Sequence, residues 1–222
     1  MKITLYTSLI TSIVIQVITG IIEFSTLFLK VPSEYNFLKQ MMVLELIVQV
    51  IEGSFYMYWL FHFKTIANIT PSRYMDWVIT TPTMLINLIM YLVFLKSTEP
   101  LDFFTVFQEE WKIILTVLVL NWVMLLFGYL GETRIPVNVS VPLGFIPFVF
   151  YYYLIYTNYA VSEKGLFLFY YFLFFWSLYG VVAMFSYKLK NMCYNILDLF
   201  AKNFFGIFLT YLLVKGSVDF YA

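Results

Sequence analysis

Arg73-Tyr74-Met75-Asp76-Trp77-Val78-Ile79-Thr80-Thr81-Pro82 places an Arg, an Asp and two Thr in an otherwise apolar run. Ionisable side chains are costly inside a membrane span and mark a functional site there. The run opens a predicted helix, with Thr70 as N-cap and Pro71 at the first helical position. At about 100° per residue, Arg73, Asp76 and Thr80 fall near one face, so the Arg and the Asp can share one polar pocket. Pro82 removes a backbone donor and clashes with the carbonyl of Val78, which predicts a kink.

A complementary pair lies near the other end, in Asn195-Ile196-Leu197-Asp198-Leu199-Phe200-Ala201-Lys202. Asp198 and Lys202 are four apart, one turn apart on one helical face. A buried Lys needs a carboxylate or must lose its charge. Lys202 cannot easily snorkel, because about 12 apolar-rich residues, roughly 18 Å of helix, separate it from Lys215. Two Asp, one Arg and one Lys sum to zero, which predicts a single buried cluster built by two helices.

Composition sets the class. Of 222 residues, 62% are hydrophobic and only 12% charged, against about 25% charged in a soluble domain. The chain therefore reads as an all-α, polytopic membrane protein and a single domain over 1–222. Seven apolar segments are predicted, at Thr4–Leu29, Phe37–Phe63, Pro71–Leu95, Phe107–Leu130, Val137–Tyr159, Leu166–Tyr187 and Met192–Val214. Turn-forming stretches separate them. The first is too long for a signal-peptide core and reads as a retained helix. A net charge of zero gives no reason to expect a nucleic-acid partner. One Cys and one His exclude an internal disulfide and a Cys- or His-rich metal site. His62 reads as an interfacial residue, and nothing points to an enzyme.

Two helices carry polar seams. Ser8, Ser12, Gln16, Thr19 and Glu23 recur at helical spacing on the first. Glu45, Gln49, Glu52 and Tyr56 do so on the second, with Glu45 and Glu52 about 10 Å apart along the axis. Such seams either hold helices together or line a hydrated cation route. On the route reading, Ser8, Ser12, Gln16, Glu45, Gln49, Glu52, Asn195 and Asn203 form the ion pathway. Neither Glu is then expected in the Asp76–Asp198–Lys202 cluster, so replacing either should spare the colour of a bound chromophore. Asn87 lies eleven residues beyond Asp76 on nearly the same face. The aromatic run Phe148–Tyr153 of the fifth segment reads as an interfacial or packing belt.

Arg-Tyr-x-Asp-Trp-x-x-Thr-Thr-Pro resembles the third helix of microbial rhodopsins, and Asp-x-x-x-Lys resembles their retinal-binding segment. Helix number and order agree over the whole chain. In detail, the Glu45/Glu52 pair with Asn195, Asp198 and Asn203 resembles the channel-forming rhodopsins of large DNA viruses. The resemblance implies a seven-helix bundle with all-trans-retinal joined as a Schiff base to Lys202. It implies that Asp76 and Asp198 favour the protonated Schiff base, that Arg73 balances the second carboxylate, and that Asp76 is the proton acceptor. Trp77, Thr80, Thr81, Met84, Asn121, Met124, Trp176, Tyr179 and Ala201 would surround the retinal. Asn121 would pair with Thr81, with or without a consequence for gating. The N-terminus would be external and the C-terminus cytoplasmic. Proton-pumping relatives typically carry a carboxylate where Asn87 stands, and an amide cannot carry that proton.

Three outputs follow from this likeness: a light-gated channel for monovalent cations and protons, an outward proton pump with bulk water or Glu45 as donor, or a photosensor. Retinal and the bilayer are the expected partners, and a homo-oligomer is compatible with all three.

Overall fold

A computed structural model of the protein describes residues 4–160 and 162–221. Its elements are α1 (Leu5–Thr26), a 3-10 turn at Ser33–Tyr35, α2 (Asn36–Phe61), α3 (Thr70–Phe94), α4 (Phe103–Thr133), α5 (Val137–Tyr159), α6 (Glu163–Ala183), α7 (Tyr187–Asp198), a π-turn at Leu199–Asn203, and α8 (Phe204–Tyr221). The last three run on as one span, Tyr187–Tyr221, giving seven helices long and apolar enough to cross a membrane among the described residues. Lipid offers no partner for backbone polar groups, so an apolar chain satisfies them within each helix.

The spans pack largely in chain order, and the seventh touches both α1 and α6, which closes a ring. Large apolar side chains such as Ile21, Val50, Phe61 and Phe167 face outward, while Arg73, Asp76, Glu52, Asp198 and Lys202 point inward. That inversion suits a hydrocarbon solvent, where the outer faces cost nothing and the charges must find each other.

Several helix ends differ from the sequence reading. Thr70 does not cap α3. The helix begins on Thr70 itself after Ile69, and the Asn68 side chain accepts from the Thr70 N–H at 2.9 Å. The Thr70 hydroxyl instead accepts from Asn191 of α7 at 2.8 Å, because a tertiary partner outcompetes the local one. α4 starts four residues earlier than the hydropathy suggests, at Phe103, because the Asp102 side chain caps it through the Thr105 N–H. A carboxylate at that end also suits the helix dipole. Gln40 donates to the same Asp102, and together these bonds hold its carboxyl below the usual range. α6 stops at Ala183, and the seventh span begins at Tyr187, before the predicted Met192. The earlier start brings Lys188 and Lys190 into that span beside Lys202 and Lys215, and Lys190 pairs with Glu132 at 2.6 Å. α3 is helical throughout, with Pro82 inside it. In the aromatic run of α5, Phe148, Tyr151 and Tyr152 are buried and Val149, Phe150 and Tyr153 exposed, so one face packs and the other meets lipid.

Candidate functional site

Lys202 sits in the π-turn, where the helix widens by one residue. Its Nζ lies 2.9 Å from Asp76 Oδ2, 3.4 Å from Glu52 Oε1 and 3.9 Å from Asp198 Oδ1. The three carboxyls come from α3, α2 and α7, all buried. The predicted charge cluster exists, with one more member: Glu52 belongs to it. The sequence reading placed Glu52 apart because periodicity shows which face of α2 it occupies, not what that face meets.

Arg73 reaches Asp198 rather than Asp76. One guanidinium nitrogen lies 3.3 Å from Asp198 Oδ2, Nε donates to Asn191 Oδ1 at 2.9 Å, and the other terminal nitrogen donates to Asn195 Oδ1. The guanidinium also lies over the Trp59 ring, 4.5 Å from its centroid, a favourable cation–π placement. Asp198 accepts from the Tyr56 hydroxyl at 2.5 Å and the Tyr179 hydroxyl at 2.7 Å. Two hydroxyl donors and an Arg thus surround Asp198. Among the described residues Asp76 has only Lys202 on Oδ2, and its Oδ1 has no partner. Thr80 donates to the backbone carbonyl of Asp76 at 3.0 Å, not to its carboxylate.

Beside Lys202 lies an apolar pocket lined by Tyr74, Trp77, Thr81, Met84, Met124, Leu125, Gly128, Trp176, Tyr179, Tyr194 and Ala201, with Ser140, Val141, Gly144, Phe145 and Phe148 of α5. Lys202 is the charged residue in that lining. Most of the predicted chromophore contacts are here, but Thr80 and Asn121 are not in the wall. Asn121 stands behind it, donating to Thr81 Oγ1 at 2.8 Å as its position suggested. Gly180 keeps space for the Phe145 ring, which a Cβ there would meet at 2.6 Å. The α5 wall had no sequence signal strong enough to align it; the small residues Ser140 and Gly144, four apart, were the available cue. An apolar slot with a single amine in its wall fits a long unsaturated hydrocarbon that ends in an aldehyde, because Lys forms Schiff bases with carbonyls. Tyr56 fell on the α2 seam in the sequence, but its bond to Asp198 is a tertiary fact.

Every predicted pathway residue except Glu45 bonds to another of the set. Ser12 donates to the Asn195 carbonyl at 3.0 Å, and Asn195 donates to Ser8 Oγ at 2.9 Å. Gln16 donates to Glu52 at 3.2 Å. Asn203 donates to Thr19 at 2.6 Å and to Gln49 at 3.3 Å, and Gln49 donates to Glu23 at 3.4 Å. Glu45 accepts from Asn87 at 3.2 Å. The seams of α1, α2 and the seventh span thus face one another as a buried polar column bonded in separate groups, of which the one holding Gln16 and Glu52 reaches Lys202.

The family profile for bacteriorhodopsin-like proteins matches residues 4–216. Among solved structures, the chain is similar to viral rhodopsin OLPVRII at 28% identity and a TM-score of 0.84, covering 95% of this chain and 98% of that one. A blue light-absorbing proteorhodopsin from Med12 shares the fold at 18% identity and a TM-score of 0.76, over 95% and 97% of the two chains. Xanthorhodopsin, described as a light-driven ion pump with dual chromophore, does so at 17% identity and 0.74, over 97% and 94%. No curated protein sequence matches significantly.

Proposed function

Since this chain belongs to the bacteriorhodopsin-like family, we propose that it is a light-gated cation channel whose retinal is carried on Lys202. Retinal, the family's cofactor, is held through a Schiff base to a lysine and supplies light absorption, a change of shape and a titratable proton. The free Nζ of Lys202 stands here for the nitrogen of that linkage.

The chain's own residues then divide the work. Asp76 Oδ2, 2.9 Å from the nitrogen and otherwise unpartnered, accepts a proton. Asp198, held by Tyr56, Tyr179 and Arg73, fixes the guanidinium and the two tyrosines beside it. At 2.9 Å and an effective dielectric near 20, the attraction between Lys202 and Asp76 is about 6 kcal/mol. Moving one proton between them removes that term, which is enough to shift a two-state packing equilibrium. Glu52 and Asn203 transmit the change, since one touches Lys202 and the other follows it in the same turn. The column loosens, water enters, and the acids favour cations over anions.

The observation that carries this reading is the buried polar column of α1, α2 and the seventh span, joined at Glu52 to Lys202. An outward proton pump is the second reading, favoured by the single contact between Asp76 and Lys202 and by Glu45 beside Asn87 as an alternative donor. The proposed orientation puts the N-terminus outside. Whole-cell photocurrents, recorded across voltage with opposed sodium and proton gradients, test the proposal. A channel current reverses where the gradients dictate. A current of one sign over the whole range rejects the channel and supports the pump.

A further inference from the structure

Glu23 belongs to the polar column but lies outside the cluster around Lys202, and no proton step above uses it. It is the last acid of α1 and fully buried. Its carboxyl rests against Gly206 of α8, where a Cβ would overlap both carboxyl oxygens. Gly20 and Gly53, by contrast, face open space. Gly206 is therefore a niche that only a residue without a side chain leaves free for this group.

The surroundings of the niche disfavour a bare charge. Oε1 accepts one long bond from Gln49 Nε2, at 3.4 Å, and Oε2 has no partner among the described residues. No Lys, Arg or His lies within ion-pair distance of Glu23 among the described residues. The titratable group acting on it is another acid, Glu45 of α2. Unpartnered atoms nearby along the column are Gln16 Oε1, Glu45 Oε1 and Asn203 Oδ1, all acceptors. A carboxylate at Glu23 would add a charge and a further acceptor, whereas a carboxylic acid supplies the missing donor. Glu23 is nonetheless linked to the functional turn, because Gln49 accepts from Asn203, the residue after Lys202.

We infer that Glu23 is a neutral carboxylic acid in the dark, seated in the Gly206 niche, and that it releases its proton to water when light moves the Lys202 turn. Asn203 then withdraws from Gln49, water fills the gap and reaches the Glu23 carboxyl, and the Gln49 N–H stays as a donor to the carboxylate that forms. Only the Glu23 O–H bond breaks. Its electron pair stays on the carboxylate, and the proton leaves with water entering from the bundle end where α1 stops at Thr26. The new charge attracts cations at that end of the column. This gating role rests on reading the column as an ion route, whereas the loss of the proton does not.

Light-minus-dark infrared spectroscopy of the retinal-loaded full chain in lipid, in water and in heavy water, tests it. Wild type should lose the carbonyl stretch of one protonated acid on illumination. That band should be absent in Glu23→Gln, shifted in Glu23→Asp and shifted in Gly206→Ala, with the visible spectrum of Glu23→Gln unchanged. Carboxyl bands identical in Glu23→Gln and wild type would overturn the inference, as would an unshifted band in Glu23→Asp should Glu23→Gln fail to fold. A wild-type current that never reverses would remove the channel reading while leaving this band assignment standing.

Discussion

Glu52→Gln offers the sharpest test of the charge cluster. Arg73 and Lys202 supply two positive charges, and Asp76, Asp198 and Glu52 offer three carboxyls within ion-pair distance of them. A buried cluster at zero net charge keeps one carboxyl protonated, and Glu52 is the one that lacks both the shortest contact to Lys202 and the tyrosine donors of Asp198. If Glu52 were ionised, at 3.4 Å it would stabilise a cation on the Lys202 nitrogen by about 5 kcal/mol at an effective dielectric near 20. That is nearly the 6 kcal/mol of Asp76 and equals roughly three to four pH units. The assay is a pH titration of the visible band of retinal-loaded wild type and Glu52→Gln. Near neutral pH the two bands should nearly coincide. Ionisation of Glu52 would move the wild-type band to shorter wavelength by stabilising the ground-state cation, and any such step in the titration should be absent from the variant. A neutral-pH red shift as large as that of Asp76→Asn would refute the charge count. An alkaline step equal in both proteins would refute the placement of Glu52.

Other substitutions follow from the same geometry. Lys202→Ala should give a colourless protein when made with retinal; a visible band removable by hydroxylamine would place the linkage elsewhere. Asp76→Asn should shift absorption to the red and slow or abolish proton loss from the chromophore nitrogen, as flash photolysis would record. Tyr56→Phe removes a donor 2.5 Å from Asp198; a bond to a charged group is worth about 1.5–3 kcal/mol, so thermal unfolding in detergent should come earlier, with an altered colour. Gly180→Ala pushes a Cβ to 2.6 Å from the Phe145 ring; it should cost about 1–3 kcal/mol in stability and disturb the visible band, because Phe145 lines the pocket.

Much of the architecture was legible locally. Seven apolar stretches fix the number of spans, since each must satisfy its own backbone in lipid. Asp198 and Lys202 share a face because they are four apart, and the polar seams follow from helical periodicity alone. Helix ends were less legible: Asp102 caps α4 where hydropathy had not yet risen, and Thr70 turns to Asn191 instead of capping α3. Periodicity also says nothing of the partner across a contact, so it left open which carboxylate Arg73 touches and kept Glu52 away from Lys202.

The sequence by itself determined a membrane-spanning helical bundle, the lysine inside it and the faces that bear polar groups, because these depend on residue type and a fixed rise and turn per residue. Only the tertiary structure decided which carboxyls meet Lys202, that Tyr56 and Tyr179 hold Asp198, that α5 completes the pocket and that Gly206 makes room for Glu23. Those facts depend on how far each helix is rotated and shifted against its neighbours. That relation is fixed by side chains distant in the chain packing together, and no local period contains it.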